Sequence, residues 1–212
     1  EAHALIAAIN DYLGNVGTTV SYLSLPHFGD EDQYSALQSV IQEMNDGFVD
    51  TLVMLGTNPV FTTPSDWDFA GALSKVDTVI HLSDYVDETS RNATWHVNRA
   101  HYLEAWGDGF SYDGVASIIQ PQIQPLHDGM SEIEFVHAIV QGKGLKGYDL
   151  VKATWSDFSS SWNKILHDGI SDWIVNASTP SAKVITPSST ANTAEGIEVV
   201  IKADSKIFDG RY

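Results

Sequence analysis

Apolar residues recur at helical spacing over Ala2 to Leu13, where Leu5, Ile6, Ile9, Tyr12 and Leu13 share one face and Gly14 supplies a stop. The pattern changes over Gly17 to Leu25, whose β-branched and aromatic residues predict a strand that turns away at Pro26 to Gly29. A second helical stripe, Tyr34, Leu37, Val40, Ile41 and Met44, follows a cap at Asp30 or Asp32 and ends near Gly47. Thr51 to Leu55 is a short apolar run that stops at Gly56 and turns through Thr57, Asn58 and Pro59. Bounded in this way, it predicts a buried, central strand. Ser65 or Asp66 then opens a short helix with Trp67, Phe69, Ala70 and Leu73 inward, and Thr78 to Leu82 forms a third strand.

Strands alternating with helices through short connections must run parallel. The fold class is therefore α/β, a three-layer sandwich with a mostly parallel, Rossmann-like sheet. The carboxyl ends of its strands share one edge, made by Pro26 to Gly29, Gly56 to Pro59 and Ser83 to Thr89. Small ligands of open α/β sheets bind at such an edge.

Beyond Asp87 the alternation loosens. Asn92 to Asp108 is crowded with aromatic residues and histidines. Val115 to Ile119 predicts a fourth strand closed by Pro121. Ser131 and Glu134 have capping-box spacing and open a helix expected to turn Ile133, Phe135, Val136, Ile139 and Val140 inward. Residues 148–175 predict one or two further helices with Trp155, Phe158, Trp162, Ile165, Leu166 and Trp173 on the apolar face. Residues 177–195, rich in Ser, Thr, Ala and Pro, read as linker, and Gly196 to Ala203 as an edge strand. The expected organisation is an α/β domain over 1–145, a helical extension of it over 146–176, and a linker with an edge strand over 177–212 leading to a missing domain. The chain opens directly on a helix pattern and stops at Tyr212 without a clear ending, as if cut from a longer polypeptide.

Composition narrows the chemistry. A formal net charge of -17 speaks against nucleic acid as a partner, because phosphate binding needs clustered Lys and Arg. Without cysteine, this chain holds no disulfide, no Cys-ligated iron–sulfur cluster and no thiolate nucleophile. No apolar run is long enough for a membrane span, so no direct membrane insertion is expected.

Local motifs are few. Gly142 to Gly147 fits G-x-G-x-x-G, but a helix precedes it where the dinucleotide fingerprint needs a strand, so it reads as a helix-terminating loop. His96 and His101, near Glu104, would point about 140° apart on a helix, and no metal site is assigned to them. Asp84, Asp87 and Glu88 cluster after the third strand. They could serve as acid and base, accept hydrogen bonds from a guanine or ribose, or cap a following helix. The turn at Gly56 to Pro59 is the most specific feature. Glycine permits close backbone approach, Asn bonds its own backbone or a ligand edge, and Pro directs the exit. A tight turn and a binding loop both remain open on chemistry alone.

Leu55-Gly-Thr-Asn-Pro59 resembles the strand-end motif of the molybdopterin oxidoreductase superfamily. Asp87-Glu-Thr-Ser90 resembles that family's acidic-Glu-Thr turn. Ala100 to Asp108, Asp113-Gly114, Ser117 to Pro121 and Gln124-Pro-Leu126 continue the likeness. The combination is similar to one branch, the large iron–sulfur subunit of bacterial alternative complex III, a membrane-attached quinol:electron-acceptor oxidoreductase. It covers residues 50–140 and extends more weakly to Tyr212. The resemblance implies an ancestral site for molybdopterin guanine dinucleotide at Gly56, Thr57, Asn58, Asp84, Glu88 and Thr89. It implies iron–sulfur clusters elsewhere in the full polypeptide, partner subunits of an electron-transfer complex, and a place on the outer, periplasmic face of the cytoplasmic membrane. One departure counts: Trp95 and His96 stand where cofactor-bearing members carry small aliphatic residues. The expectation is a scaffold domain whose crevice is empty or filled by side chains. The alternatives are a cofactor-binding domain of an active molybdenum enzyme and a stand-alone module for a small ligand.

Overall fold

The computed structural model describes residues 2–22, 32–111, 115–156, 161–174, 196–197 and 206. The chain divides into two compact units: Leu25–Val175, and Glu1–Ser24 together with Asn176–Tyr212. In the latter, helix α1 (Ala2–Tyr12) forms where the stripe predicts it, yet none of its residues is buried. Val16 and Val20 bridge across a turn, so no strand forms over residues 17–22. The rest of that predicted strand, the turn at Pro26 to Gly29 and nearly all of the predicted edge strand lie outside the described residues.

The larger unit begins with α2 (Gln33–Asn45), capped by Asp32, whose carboxylate accepts the Ser35 N–H at 3.0 Å. There follow β1 (Thr51–Leu55), α3 (Pro59–Thr62), a 3-10 turn over Ser65–Trp67, α4 (Phe69–Leu73), β2 (Thr78–Ser83), α5 (Glu88–Arg91) and β3 (Trp95–Asn98). The three strands form one parallel sheet in the order β1-β2-β3, so the α/β class is as the alternation requires. Ile41 and Met44 of α2 and Phe69, Ala72 and Leu73 of α4 pack with Met54 and Val79 of the sheet into an aliphatic core.

Two expectations change here. β2, not β1, is the middle strand of this sheet. Among the described strands β1 pairs only with β2, and its Thr51–Val53 face is exposed. Trp95 to Asn98 is a strand rather than part of a helix, so the helical geometry applied to His96 and His101 does not hold.

A second, antiparallel sheet holds β4 (Gly107–Phe110), β5 (Val115–Ile119) and β6 (Ile170–Ile174), in the order β4-β5-β6. The predicted fourth strand thus exists but leaves the parallel sheet. Helices α6 (Glu132–Gln141), α7 (Gly147–Thr154) and α8 (Trp162–Asp168) accompany it. Trp173 belongs to β6, not to a helix. The reason is Gly169, which ends α8 in the left-handed conformation (φ 75°) and redirects the chain alongside β5. Phe158 lies outside the described residues. The core of this region is aromatic, with Trp155 and Trp162 buried beside Ala116, Ile118, Val151 and Ile165.

The capping box of α6 forms as spaced: Ser131 N–H donates to Glu134 Oε2 at 3.1 Å and Glu134 N–H to Ser131 Oγ at 3.4 Å. Glu134 Oε1 also accepts the Gly147 N–H at 2.8 Å, which ties the start of α7 to the start of α6. Gly142 ends α6 in the left-handed region, so the glycine-rich run is a terminating loop. Of the inward face predicted for α6, one residue packs. Phe135 is its only buried residue, while Ile133, Val136, Ile139 and Val140 remain exposed.

Candidate functional site

The turn after β1 and the start of α5 meet at the carboxyl edge of the parallel sheet. Register explains the meeting: Leu55 pairs with Leu82, so Gly56 continues alongside β2 and donates its N–H to Leu82 O at 2.8 Å. Gly56 has φ 63°, a conformation that side chains resist. The chain then turns into α3 with Pro59 in its first turn.

Asn58 is the hub. Only 3% exposed, it donates from Nδ2 to Glu88 Oε2 at 2.8 Å. Its Oδ1 accepts the Thr89 hydroxyl at 2.7 Å and the Thr89 N–H at 3.2 Å. The Thr89 Oγ1 in turn accepts the Val60 N–H at 3.1 Å, an orphan donor at the start of α3. Asn58 is the residue before α3 but makes no side-chain cap there, because its amide is committed to α5. Two short helices are thereby cross-braced through the buried Asn58 and Thr89, each with a partner. The Asn58 bond, and after it Glu88's own backbone N–H, hold the Glu88 carboxyl below the usual glutamate range.

Beneath the turn lies His81, fully buried in the middle strand. Its Nε2 is 2.7 Å from the Thr57 carbonyl, an acceptor only, so Nε2 carries a proton. Its Nδ1 is 2.9 Å from Ser90 Oγ. Ser90 Oγ also lies 3.0 Å from Asp87 Oδ1, 3.1 Å from Tyr85 O and 3.0 Å from His96 Nδ1. One hydroxyl proton serves several neighbours, so the cluster admits more than one hydrogen-bond arrangement. Asp87 caps α5 through the Ser90 N–H at 2.8 Å, which is the capping role open to it from sequence.

Asp84 stands apart from this network. Its Oδ1 is 3.3 Å from Arg99 Nε, and Glu132 Oε1 lies 2.9 Å from the same nitrogen. The Nε–H is aimed at neither oxygen, so these contacts are coulombic rather than directed hydrogen bonds. Arg99 extends over Gly56: a Cβ there would collide with Arg99 Nη1. Glycine thus gives Arg99 the room that the notion of a binding loop reserves for a ligand phosphate.

Of the sequence-derived residues, Gly56, Thr57, Asn58, Glu88 and Thr89 converge, and Asp84 joins them only through Arg99. Sequence reasoning missed His81, Arg99 and Glu132 as members. His81 was signalled by a polar residue on the Val79–Ser83 face of an otherwise apolar strand. Nothing local marks Arg99 and Glu132, which come from different elements. Trp95 is exposed and His96 half-buried against Ser90. His101 is exposed, and its N–H donates to Glu104 Oε2 at 3.0 Å. Among the described residues no group of His, Asp and Glu has the arrangement to hold a metal ion.

At the turn both ends of the Asn58 amide bond within the protein, and the guanidinium of Arg99 lies across Gly56. Compared with protein-family models and with curated proteins, the chain matches none.

Proposed function

We propose that this chain is a scaffold domain of a molybdopterin-oxidoreductase-like subunit in a membrane-attached, quinol-oxidising electron-transfer complex. In this reading its ancestral cofactor crevice is filled by the protein's own side chains. The observation that carries the proposal is the self-satisfied turn: Asn58 is locked between Glu88 and Thr89, and Arg99 covers Gly56. The resemblance over residues 50–140 supplies the class, and the lack of cysteine leaves the iron–sulfur clusters to other parts of the polypeptide. Partners would be those other domains and the subunits of the complex, on the outer face of the cytoplasmic membrane. No described helix is long and apolar enough to cross a membrane, so attachment would come through partners.

The test is elemental and pterin analysis of the native protein that contains this chain. Plasma mass spectrometry counts molybdenum, tungsten and iron, and oxidised-pterin fluorescence detects the organic part. Iron without molybdenum, tungsten or pterin is the expected result. Near-stoichiometric molybdenum or tungsten with pterin would overturn the proposal in favour of an active molybdenum or tungsten enzyme.

A further inference from the structure

The exposed apolar face of α6 does not look onto open solvent alone. It forms one wall of a groove of about 460 Å³, whose other walls are α7 and the β4 strand. Ile133, Val136 and Val140 of α6 face Leu150 and Val151 of α7 across it. That volume lies within the range of small-molecule sites. The groove shares Glu132 with the site at Gly56, but the inference does not rest on the function proposed above.

Its charged groups are of one sign. Two carboxylates line it, Asp108 and Glu132, and no Lys or Arg does so among the described residues. Glu132 is engaged by Arg99 at 2.9 Å. Asp108 is the freer anion. It is exposed, and its Oδ2 accepts the buried indole N–H of Trp155 at 2.8 Å, which holds the carboxylate in place beside the apolar walls. His137 also lines the groove, and its buried Nε2 has no hydrogen-bond partner among the described residues. A carboxylate and an imidazole lone pair both accept from donors. The chain's net charge of -17 adds a field of the same sign.

We propose that this groove binds a small organic ammonium ion: an apolar body against Ile133, Val136, Val140 and Leu150, with its charged head on Asp108. Charge complementarity selects this occupant over carboxylates and phosphates, which the two acids would repel. A concave site with a held carboxylate at its edge favours a small ligand over a second copy of the chain, which would need a broad apolar face.

The experiment titrates the full polypeptide that contains this chain with three probes of matched shape: phenethylamine, 2-phenylethanol and 3-phenylpropionate. Binding is read by tryptophan fluorescence and by calorimetry. The expected result is saturable binding of the amine, with the alcohol and the acid weaker by about tenfold or more, the scale of one charge-assisted hydrogen bond. Asp108→Asn keeps an acceptor for Trp155 and should remove the preference for the amine. Val140→Lys changes an exposed side chain and should weaken the amine further by repulsion. Equal affinity for amine and alcohol, an unchanged preference in Asp108→Asn, or no amine binding would each overturn the proposal. So would a concentration-dependent dimer of the parent chain that Val140→Lys dissolves, since a second copy would then be the occupant.

Discussion

The two sheets of the larger unit handle buried polarity in opposite ways. The parallel sheet packs an aliphatic core and gathers buried polar groups at one edge, where Asn58 bonds Thr89 and His81 bonds Ser90. The antiparallel sheet packs indoles, and beside the buried Ser171 its polar atoms include the indole N–H groups. These are satisfied one at a time: Trp155 by Asp108 at 2.8 Å and Trp162 by the Tyr148 hydroxyl at 3.0 Å. Tyr148 also meets Trp106 edge-on at 5.0 Å between ring centroids. A connected network makes its members interdependent, whereas isolated bonds fail singly. The first region is therefore sensitive at its edge to any lost partner, and the second is sensitive mainly to lost volume.

The largest test of that contrast removes core volume on each side. Leu73→Ala in the aliphatic core is expected to destabilise by about 2–5 kcal/mol and Trp162→Ala in the aromatic core by about 3–5 kcal/mol. Urea unfolding followed by hydrogen exchange would resolve where each loss falls. Losses confined to one sheet each would sharpen the comparison, and identical loss across both would make them a single cooperative block.

A smaller effect separates network from isolated bond. Asn58→Ala leaves the buried Thr89 hydroxyl and N–H without their acceptor and should cost about 2–3 kcal/mol, while Trp155→Phe loses one bond to an exposed carboxylate and should cost about 1 kcal/mol. In Asn58→Ala, exchange protection at Val60 should fall as well, because its acceptor Thr89 loses its anchor. Unchanged protection there would remove the argument for cross-bracing.

The smallest effect is in pH. The folded Glu88 carboxyl is held below the ordinary value of 4.5, first by Asn58. Its contribution is therefore present above the unfolded value and is lost as pH falls through the lowered folded one. Thermal melts from above 4.5 to below it should show that loss in the parent and a shallower one in Asn58→Ala. Parallel curves would mean that the Asn58 bond does not set the carboxyl's ionisation.

Much of the local structure was legible in order along the chain. Helix α2 with its Asp32 cap, the strands at Thr51 and Thr78, and the capping box of α6 all rest on contacts within a few residues, so spacing and residue type were enough. The convergence of Gly56, Thr57 and Asn58 with Glu88 and Thr89 was also legible, since parallel strands bring consecutive carboxyl ends to one edge. What spacing could not reach were choices between partners. Val115 to Ile119 reads as a strand in either sheet, and only its pairing with β4 and β6 decided which. The α6 stripe reads as core-facing in any amphipathic helix, and only the position of α7 left it lining a groove.

By itself, then, the sequence determined the α/β class, most element positions in the first half, and the residues that meet after β1, because these follow from periodicity, capping and strand direction. Only the tertiary structure decided that His81 supports the turn from below, that Arg99 lies over Gly56 between Asp84 and Glu132, and that Asp108 sits beside an apolar groove. Those contacts join residues far apart in the chain. Their distances are set by how helices and sheets pack, not by any spacing that the chain displays.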